Sequence, residues 1–470
     1  MIARLPLLLL LAATPARAGD PVQMPAGPSL LEDPLLRSLV QQAMEKRPEL
    51  TQARAQIVAE QERVPQSAVL PEPTISFGIQ NDEFSSIQIG KMETSWISIM
   101  ASQTFPWAGK RGLRGELAGL GTREAEADLR RVLLSVAAEV ERVYVDLLLV
   151  RDQLGLLTRL ESLWTQSEGL ARVRYESGEA AQSDLLRAQL QRNRLRQQRW
   201  ALQGEEHRRI AVLNRLRGHP LTEPIATTRS LADLPDPVLP DPEQAATAAD
   251  AESPELKKAL LAGEQAGRRV DLANKERWPD VTVSAGVMPR WGGFETMWLA
   301  GVAFNLPIWG AQKQSRAVAE NRARGEAARN GAEAIRQLLR QRIYERLAAL
   351  GALVEANHLY RSGLLVQSDA TVASTLSQYQ VGRVTFASVL EALAGYLGDV
   401  NGFFDSVAAA QRIAIAEREI SLDPPGGPAA SAMGGSAMPG AGVTPVSSSP
   451  SRSGGSQPGA DSAGASTSGM

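Results

Sequence analysis

The sequence predicts a mainly helical fold with membrane β-strands, made of a duplicated unit: a strand hairpin followed by a long helical hairpin. Three observations carry this. The 470-residue chain has 28 prolines, yet none lies between Pro106 and Pro220 or between Pro307 and Pro424. Proline breaks helix interiors, so these silent runs are open to helices far longer than the globular average. Before each run stands the same pair of segments: VLPEPTISFGIQ (69–80) and SWISIMASQTFPWAGKR (95–111), then ERWPDVTVSAGVM (276–288) and TMWLAGVAFNLPIWGAQK (296–313). Deep inside each run a landmark recurs. Tyr175-Glu-Ser-Gly178 precedes Ser183-Asp184-Leu-Leu, and Tyr379-Gln-Val-Gly382 precedes Ala387-Ser388-Val-Leu, with Tyr and Gly both displaced by 204 residues. A period of this kind marks one architecture in two halves rather than several unrelated domains.

The first 18 residues, MIARLPLLLLLAATPARA, place Arg4 before an apolar core and end on a small-x-small site. This is the pattern of a secretory signal peptide, with the mature chain expected from Gly19. The chain has no cysteine. It therefore carries no disulfide framework and no thiol for a lipoprotein anchor. No other stretch reaches the roughly 20 apolar residues of a membrane helix, so entry into a bilayer would have to be as β-strands.

Residues 29–65 are expected to be helical, with a restart at Pro48. The counterpart is Ser253-Pro254-Glu-Leu, where Ser253 suits an N-cap and Pro254 the first helical position. The strand segments alternate. Ile75, Phe77 and Ile79 oppose Thr74, Ser76, Gly78 and Gln80; Ile97, Ile99 and Ala101 oppose Ser98 and Ser102. Val281, Val283, Ala285 and Val287 oppose Thr282, Ser284 and Gly286; Trp298, Ala300, Val302 and Phe304 oppose Gly301, Ala303 and Asn305. Such alternation fits a transmembrane barrel strand, and equally, one segment at a time, a half-buried strand of a soluble sheet. Four segments in two matched hairpins (72–104 and 279–306) of an exported chain favour the membrane. Phe105, Trp107, Trp278, Trp291, Phe294 and Trp309 stand at the strand ends, where barrels carry aromatic girdles. The polar turns 81–94 and 288–295 are then expected outside the cell.

The helical hairpins are expected over 110–217 and 310–420. Leu129, Leu133, Val136, Val140, Val143, Leu147, Val150, Leu154 and Leu157 form a stripe at four- and three-residue spacing, and Leu339, Ile343, Leu347, Leu350 and Val354 a looser one. A helix from Lys110 to about Leu170 would be roughly 90 Å long, and needs neighbours along its whole length. Between the repeats (19–219 and 248–420), six prolines from Pro220 to Pro242 predict irregular or short-strand structure over 220–247. From Ser421 to the end the chain is dominated by Gly, Ser, Ala and Pro, a composition that cannot bury a core and is expected to be disordered.

Several chemistries find no support. The net charge is −2, giving no electrostatic case for nucleic acid. His207, His219 and His358 are the only histidines and no pair has metal-ligand spacing. No phosphate-binding loop, nucleophile elbow or dinucleotide fingerprint occurs, so neither enzyme activity nor a cofactor is expected.

The duplicated order, with the corners Pro106-Trp107-Ala-Gly109-Lys110-Arg111 and Pro307-Ile-Trp309-Gly310 and the two Tyr-x-x-Gly turns, resembles the TolC-type outer-membrane efflux family over about residues 30–420. The resemblance implies a homotrimer with four strands per protomer, a twelve-stranded barrel continued by an α-barrel through the periplasm. It implies partners: a periplasmic adaptor and an inner-membrane pump, which dock at a tip formed by the turns at Tyr175/Gly178 and Tyr379/Gly382. Family gate links match Asp184 and Tyr379. A family gate arginine aligns with Val384, whereas this chain has Arg383, one position earlier. Of two acidic positions that ring the pore in the family, one is Ser388 here and the other Glu391. Asp184 also suits an N-cap or first-turn carboxylate beside Ser183, which is compatible with a gate role. The first corner looks most like members serving heavy-metal or copper efflux. Two alternatives stand beside a passive efflux duct: a duct for type I protein secretion, and a soluble periplasmic coiled-coil scaffold.

Overall fold

A computed structural model describes residues 33–424. The signal-peptide segment 1–18 and all but the first four residues of the 421–470 tail lie outside the described residues. The chain runs as helix α1 (Pro34–Lys46), α2 (Pro48–Ala68), strands β1 (Thr74–Gln80) and β2 (Trp96–Phe105), then α3 (Lys110–Glu176) and α4 (Gln182–Leu216). The second repeat follows as α5 (Pro242–Glu252), α6 (Pro254–Lys275), β3 (Val281–Met288), β4 (Met297–Phe304), α7 (Gln314–Leu359), α8 (Leu365–Gln380) and α9 (Phe386–Glu419).

The predicted restarts occur. Ser253 Oγ accepts from Leu256 N at 3.2 Å and Pro254 opens α6. Pro48 opens α2, where Arg47 provides no side-chain cap. The helix expected to end near 65 passes through Pro65 to Ala68. The junction departs from expectation in part. It is irregular with one 3₁₀ turn (Leu231–Asp233), but becomes helical from Pro242. Asp241 caps that helix by accepting from Gln244 N at 3.0 Å, and proline is tolerated in the first turn because its missing N–H has no intrahelical partner there.

α3 has 67 residues, about 100 Å at 1.5 Å per residue. It is the spine of the protomer: α1, α2, α4, α6 and α9 all pack against it. Most of the predicted stripe is buried along it, with Leu129, Leu133 and Leu154 only partly so. Two apolar clusters result. One joins α1, the middle of α3, the end of α4, the junction and α9 around Leu147, Leu216 and Val407. The other fills the far end around Leu160, Trp164, Tyr379, Phe386 and Leu393. In the second repeat the counterpart of α3 spans Gln314 to Gln380, displaced by the same 204 residues at both ends, but it is interrupted. A five-residue π turn (Tyr360–Leu364) separates α7 from α8.

The strands form one antiparallel sheet in the order β1-β2-β3-β4, so the two hairpins are joined through β2 and β3, and β1 and β4 are both unpaired edges. The register puts Phe77 opposite Ile99, Ile99 opposite Val287, and Val287 opposite Trp298, placing the predicted apolar sets of all four strands on one face. That face is bare: Phe77 is 76% exposed, Ile79 72% and Trp298 78%. The opposite face carries Ser76, Ser98, Ser102 and Ser284, with Thr104 Oγ1 and Thr282 Oγ1 2.9 Å apart. No helix among the described residues is long and apolar enough to cross a membrane.

Candidate functional site

The two strand-to-helix corners begin the helical hairpins, and they are built differently. At the first, Gly109 adopts φ +89°, a left-handed conformation that a side chain would strain. This turns the chain directly from Pro106 into α3. Lys110 is buried, and its Nζ donates to Asp280 Oδ1 at 2.7 Å and to the Trp278 carbonyl at 2.9 Å. Trp107 N donates to the same carboxylate at 2.8 Å, and the Trp107 and Trp278 rings stack at 5.1 Å. One carboxylate of the second repeat thus holds the corner of the first. Partial burial pushes the Asp280 carboxyl up, but the Lys110 ammonium and the Trp107 N–H outweigh it and hold it below the usual carboxylate range. At the second corner Gly310 does not take a positive φ. Residues 308–313 spread into a turn, in which the Gly310 carbonyl accepts from Ser315 N at 2.9 Å. Helix therefore begins at Gln314 rather than at the expected 310, and Pro307 precedes an exposed Ile308 and Trp309.

At the opposite end of the hairpins the two Tyr-x-x-Gly turns are tight reversals. Gly178 and Gly382 have φ +78° and +76°, as their role as reversal points requires. Glu179 N donates to the Arg174 carbonyl at 2.7 Å, and Arg383 N to the Gln378 carbonyl at 2.9 Å. The tyrosines differ. Tyr175 is 43% exposed, whereas Tyr379 is 2% exposed, with its ring 5.4 Å from Phe386. Burial and the Asp184 carboxylate push the Tyr379 hydroxyl up, with Arg174 opposing, so it stays neutral at ordinary pH. That hydroxyl is buried and unpartnered among the described residues.

Asp184 is the third residue of α4. Ala181 occupies the cap position, so neither Ser183 nor Asp184 caps the helix. Asp184 instead complements the helix N-terminus from the first turn, 3.8 Å from Arg187 Nη1. Arg383 is exposed and forms no ion pair with Asp184. Ser388 lies 3.3 Å from Thr385 Oγ1, and Glu391 is exposed with no partner among the described residues. The structure thus brings Asp184 and Tyr379 into one electrostatic neighbourhood and leaves Arg383 and Glu391 apart from it.

Sequence reasoning missed the residue that joins the turns. Arg174, one residue before Tyr175, donates from Nη1 to the Tyr379 carbonyl at 2.6 Å, and its guanidinium lies 5.0 Å from the Tyr379 ring centre. A side chain at Gly382 would come within 3.1 Å of Arg174 Nη2. Fifteen residues earlier on α3, Arg159 makes a weaker, exposed version, 2.7 Å from Asp369 and 5.5 Å from the Tyr396 ring. The available signal was an asymmetry: the repeat counterpart of Arg174 is Gln378.

Comparison with known proteins agrees with this geometry. Residues 39–219, the first repeat, match the family described as outer membrane efflux protein. No curated relative matches the chain. The outer-membrane channel OprN superposes with a TM-score of 0.70 at 18% identity, over 87% of this chain and 96% of OprN. CusC gives 0.70 at 17% identity over 87% and 97%. The fold is that of an outer-membrane channel. The MtrE channel of Neisseria gonorrhoeae, solved in its open state, shares it at a TM-score of 0.68 and 16% identity, over 82% of this chain and 89% of MtrE.

Proposed function

We propose that this chain is the outer-membrane exit duct of a tripartite efflux system, a passive conduit for small toxic solutes. The observation that carries this is a four-stranded sheet with one bare apolar face and two unpaired edges, continuous with helical hairpins about 100 Å long. A soluble scaffold has no use for such a face. In lipid an open sheet edge is not tolerated, so copies must join edge to edge until the barrel closes. The helices support the same closure. Within the protomer α4 flanks α3 on one side and α9 and α8 follow on the other, so a ring of copies would set α4 of one against α7 and α8 of the next. The number three and the twelve strands follow from the resemblance to the TolC-type family.

In this reading the turns at Gly178 and Gly382 form the periplasmic tip, where an adaptor protein docks and an inner-membrane pump supplies the energy. Tyr379, held by Arg174 and close to the charge of Asp184, belongs to the constriction, and the exposed Glu391, set apart from that pair on α9, supplies a separate acidic ring that favours cations. The first corner's likeness to members of heavy-metal systems makes metal ions the cargo to try first.

The absence of native cysteine makes the test simple. Phe77→Cys on β1 and Val302→Cys on β4 place one thiol on each edge strand. A flexible bis-maleimide should convert the purified protein into a covalent ladder that ends at three protomers. A ladder that stops at one, or runs on beyond three, would reject the closed trimer.

A further inference from the structure

The two ends of the sheet differ in charge. Strand starts of β1 and β3 and strand ends of β2 and β4 lie together, because Phe105 pairs with Val281 and Val281 with Phe304. The segments that leave this end (69–73, 106–116, 275–280 and 305–316) carry seven cationic side chains against four carboxylates. The loops at the other end (81–95 and 289–296) carry two against four. Two of the corner carboxylates are already engaged: Asp280 with Lys110, and Glu116 with Arg268 at 3.1 Å. Arg111, Lys275, Arg277, Lys313 and Arg316 are exposed and make no ion pair among the described residues. They come from both repeats, and the repeats meet at the first corner, where the Lys275 Cε lies 3.6 Å from where a Gly109 side chain would begin.

The same segments carry the exposed apolar side chains Trp278, Leu306, Ile308 and Trp309, next in sequence to the strands that bear the bare apolar face. Indole rings settle at the headgroup level of a bilayer, which puts the next turn of chain at the phosphates. Guanidinium and ammonium groups there meet anionic phosphate oxygens at hydrogen-bonding range. α3 and α7 both start within ten residues of this end of the sheet, and their N-terminal partial charges have the same sign as the collar.

We propose that these five side chains form a basic collar that binds the headgroups of anionic phospholipids in the leaflet at the corner end, fixing the depth of the barrel. This rests on the sheet crossing a membrane, but not on what the duct carries.

The test uses full-length protein carrying Trp96→Phe, Trp291→Phe and Trp298→Phe, reconstituted in mixtures of brominated phosphatidylglycerol and brominated phosphatidylcholine, with quenching of the exposed corner tryptophans Trp278 and Trp309 as the readout. The collar predicts a several-fold preference for phosphatidylglycerol that disappears in molar salt. The preference should also disappear in the variant Arg111→Gln, Arg277→Gln, Lys313→Gln, Arg316→Gln, whose positions are exposed and unpartnered. Equal quenching by both lipids in the protein with its collar intact would overturn the collar while keeping the membrane. So would a preference that the variant retains. Quenching by neither lipid would overturn the membrane assignment itself.

Discussion

The same position of the repeat is core in the first hairpin and surface in the second. Val140 is 1% exposed, and its counterpart Tyr344 is 44% exposed; Leu147 is fully buried where the second copy has Gly351, and buried Leu157 corresponds to Arg361. α3 is enclosed by helices on several sides, whereas α7 and α8 have a free flank. The free hairpin is also the interrupted one. At its π turn the Tyr360 hydroxyl occupies the space above Gly402, and Arg361 pairs with Asp236 of the junction and lies over the Phe403 ring. π turns cluster at functional sites, and here one divides the flank that is open to a neighbour. Duplication gave two hairpins of nearly the same length; burial made one a spine and left the other with an open flank.

The sharpest break of this comparison is at paired arginines. Arg142 and Arg346 are repeat counterparts, and both hold the end of α9. Arg346 is 1% exposed, donates to the carbonyls of Ser421 and Asp423, and lies 3.9 Å from Glu417, whose carboxyl burial pushes up. Arg142 reaches Glu419 from a site about one-third exposed. Arg346→Met should cost about 3–5 kcal/mol in denaturant unfolding, because it strands buried acceptors. Arg142→Met should cost about 1 kcal/mol. Equal costs would remove the asymmetry.

A second contrast uses one position of the spine. Leu147→Ala opens a cavity in the enclosed helix and should cost about 2–5 kcal/mol. Gly351→Ala at the matching site finds only ordinary contact with Leu239 and should stabilise by up to about 1 kcal/mol through helix propensity. A destabilising Gly351→Ala would show α7 to be packed as tightly as α3.

The turns sharpen the contrast further. Gly178→Ala and Gly382→Ala both force a left-handed residue, at about 1–2 kcal/mol. Only Gly382→Ala also displaces Arg174, so its cost should be larger, and the excess should vanish in an Arg174→Gln background. An excess that persists in that background would remove Arg174 as its cause.

The smallest effect is at the first corner. Asp280 has a depressed pKa, so its contribution to stability is complete above the ordinary carboxylate range and is lost as pH falls through the depressed value. Asp280→Asn should flatten the acid limb of the stability profile below about pH 4. An unchanged limb would remove Lys110–Asp280 as the clasp between the repeats.

The fold was legible because its signals are periodic. Two proline-free runs, four alternating segments and a constant 204-residue displacement specify strands, helices and duplication together. Helix starts with local caps, such as Ser253-Pro254, were equally plain. The π turn left no such mark, since Tyr-Arg-Ser-Gly-Leu differs little from helical sequence and the approach of Tyr360 to Gly402 is a contact between distant residues. The helix at Pro242 was hidden because proline both ends and opens helices. At the tip, glycine conformation could be read from type alone, but the Arg174 contact joins residues 205 apart and is a property of packing.

The central claim is that copies of this chain enclose a conducting path. Purified protein in planar bilayers, with Glu391→Gln alongside, tests it most directly. The account predicts discrete, cation-selective steps whose selectivity weakens in Glu391→Gln. Protein that reaches the bilayer as a closed oligomer and passes no ions, with or without that substitution, would contradict it.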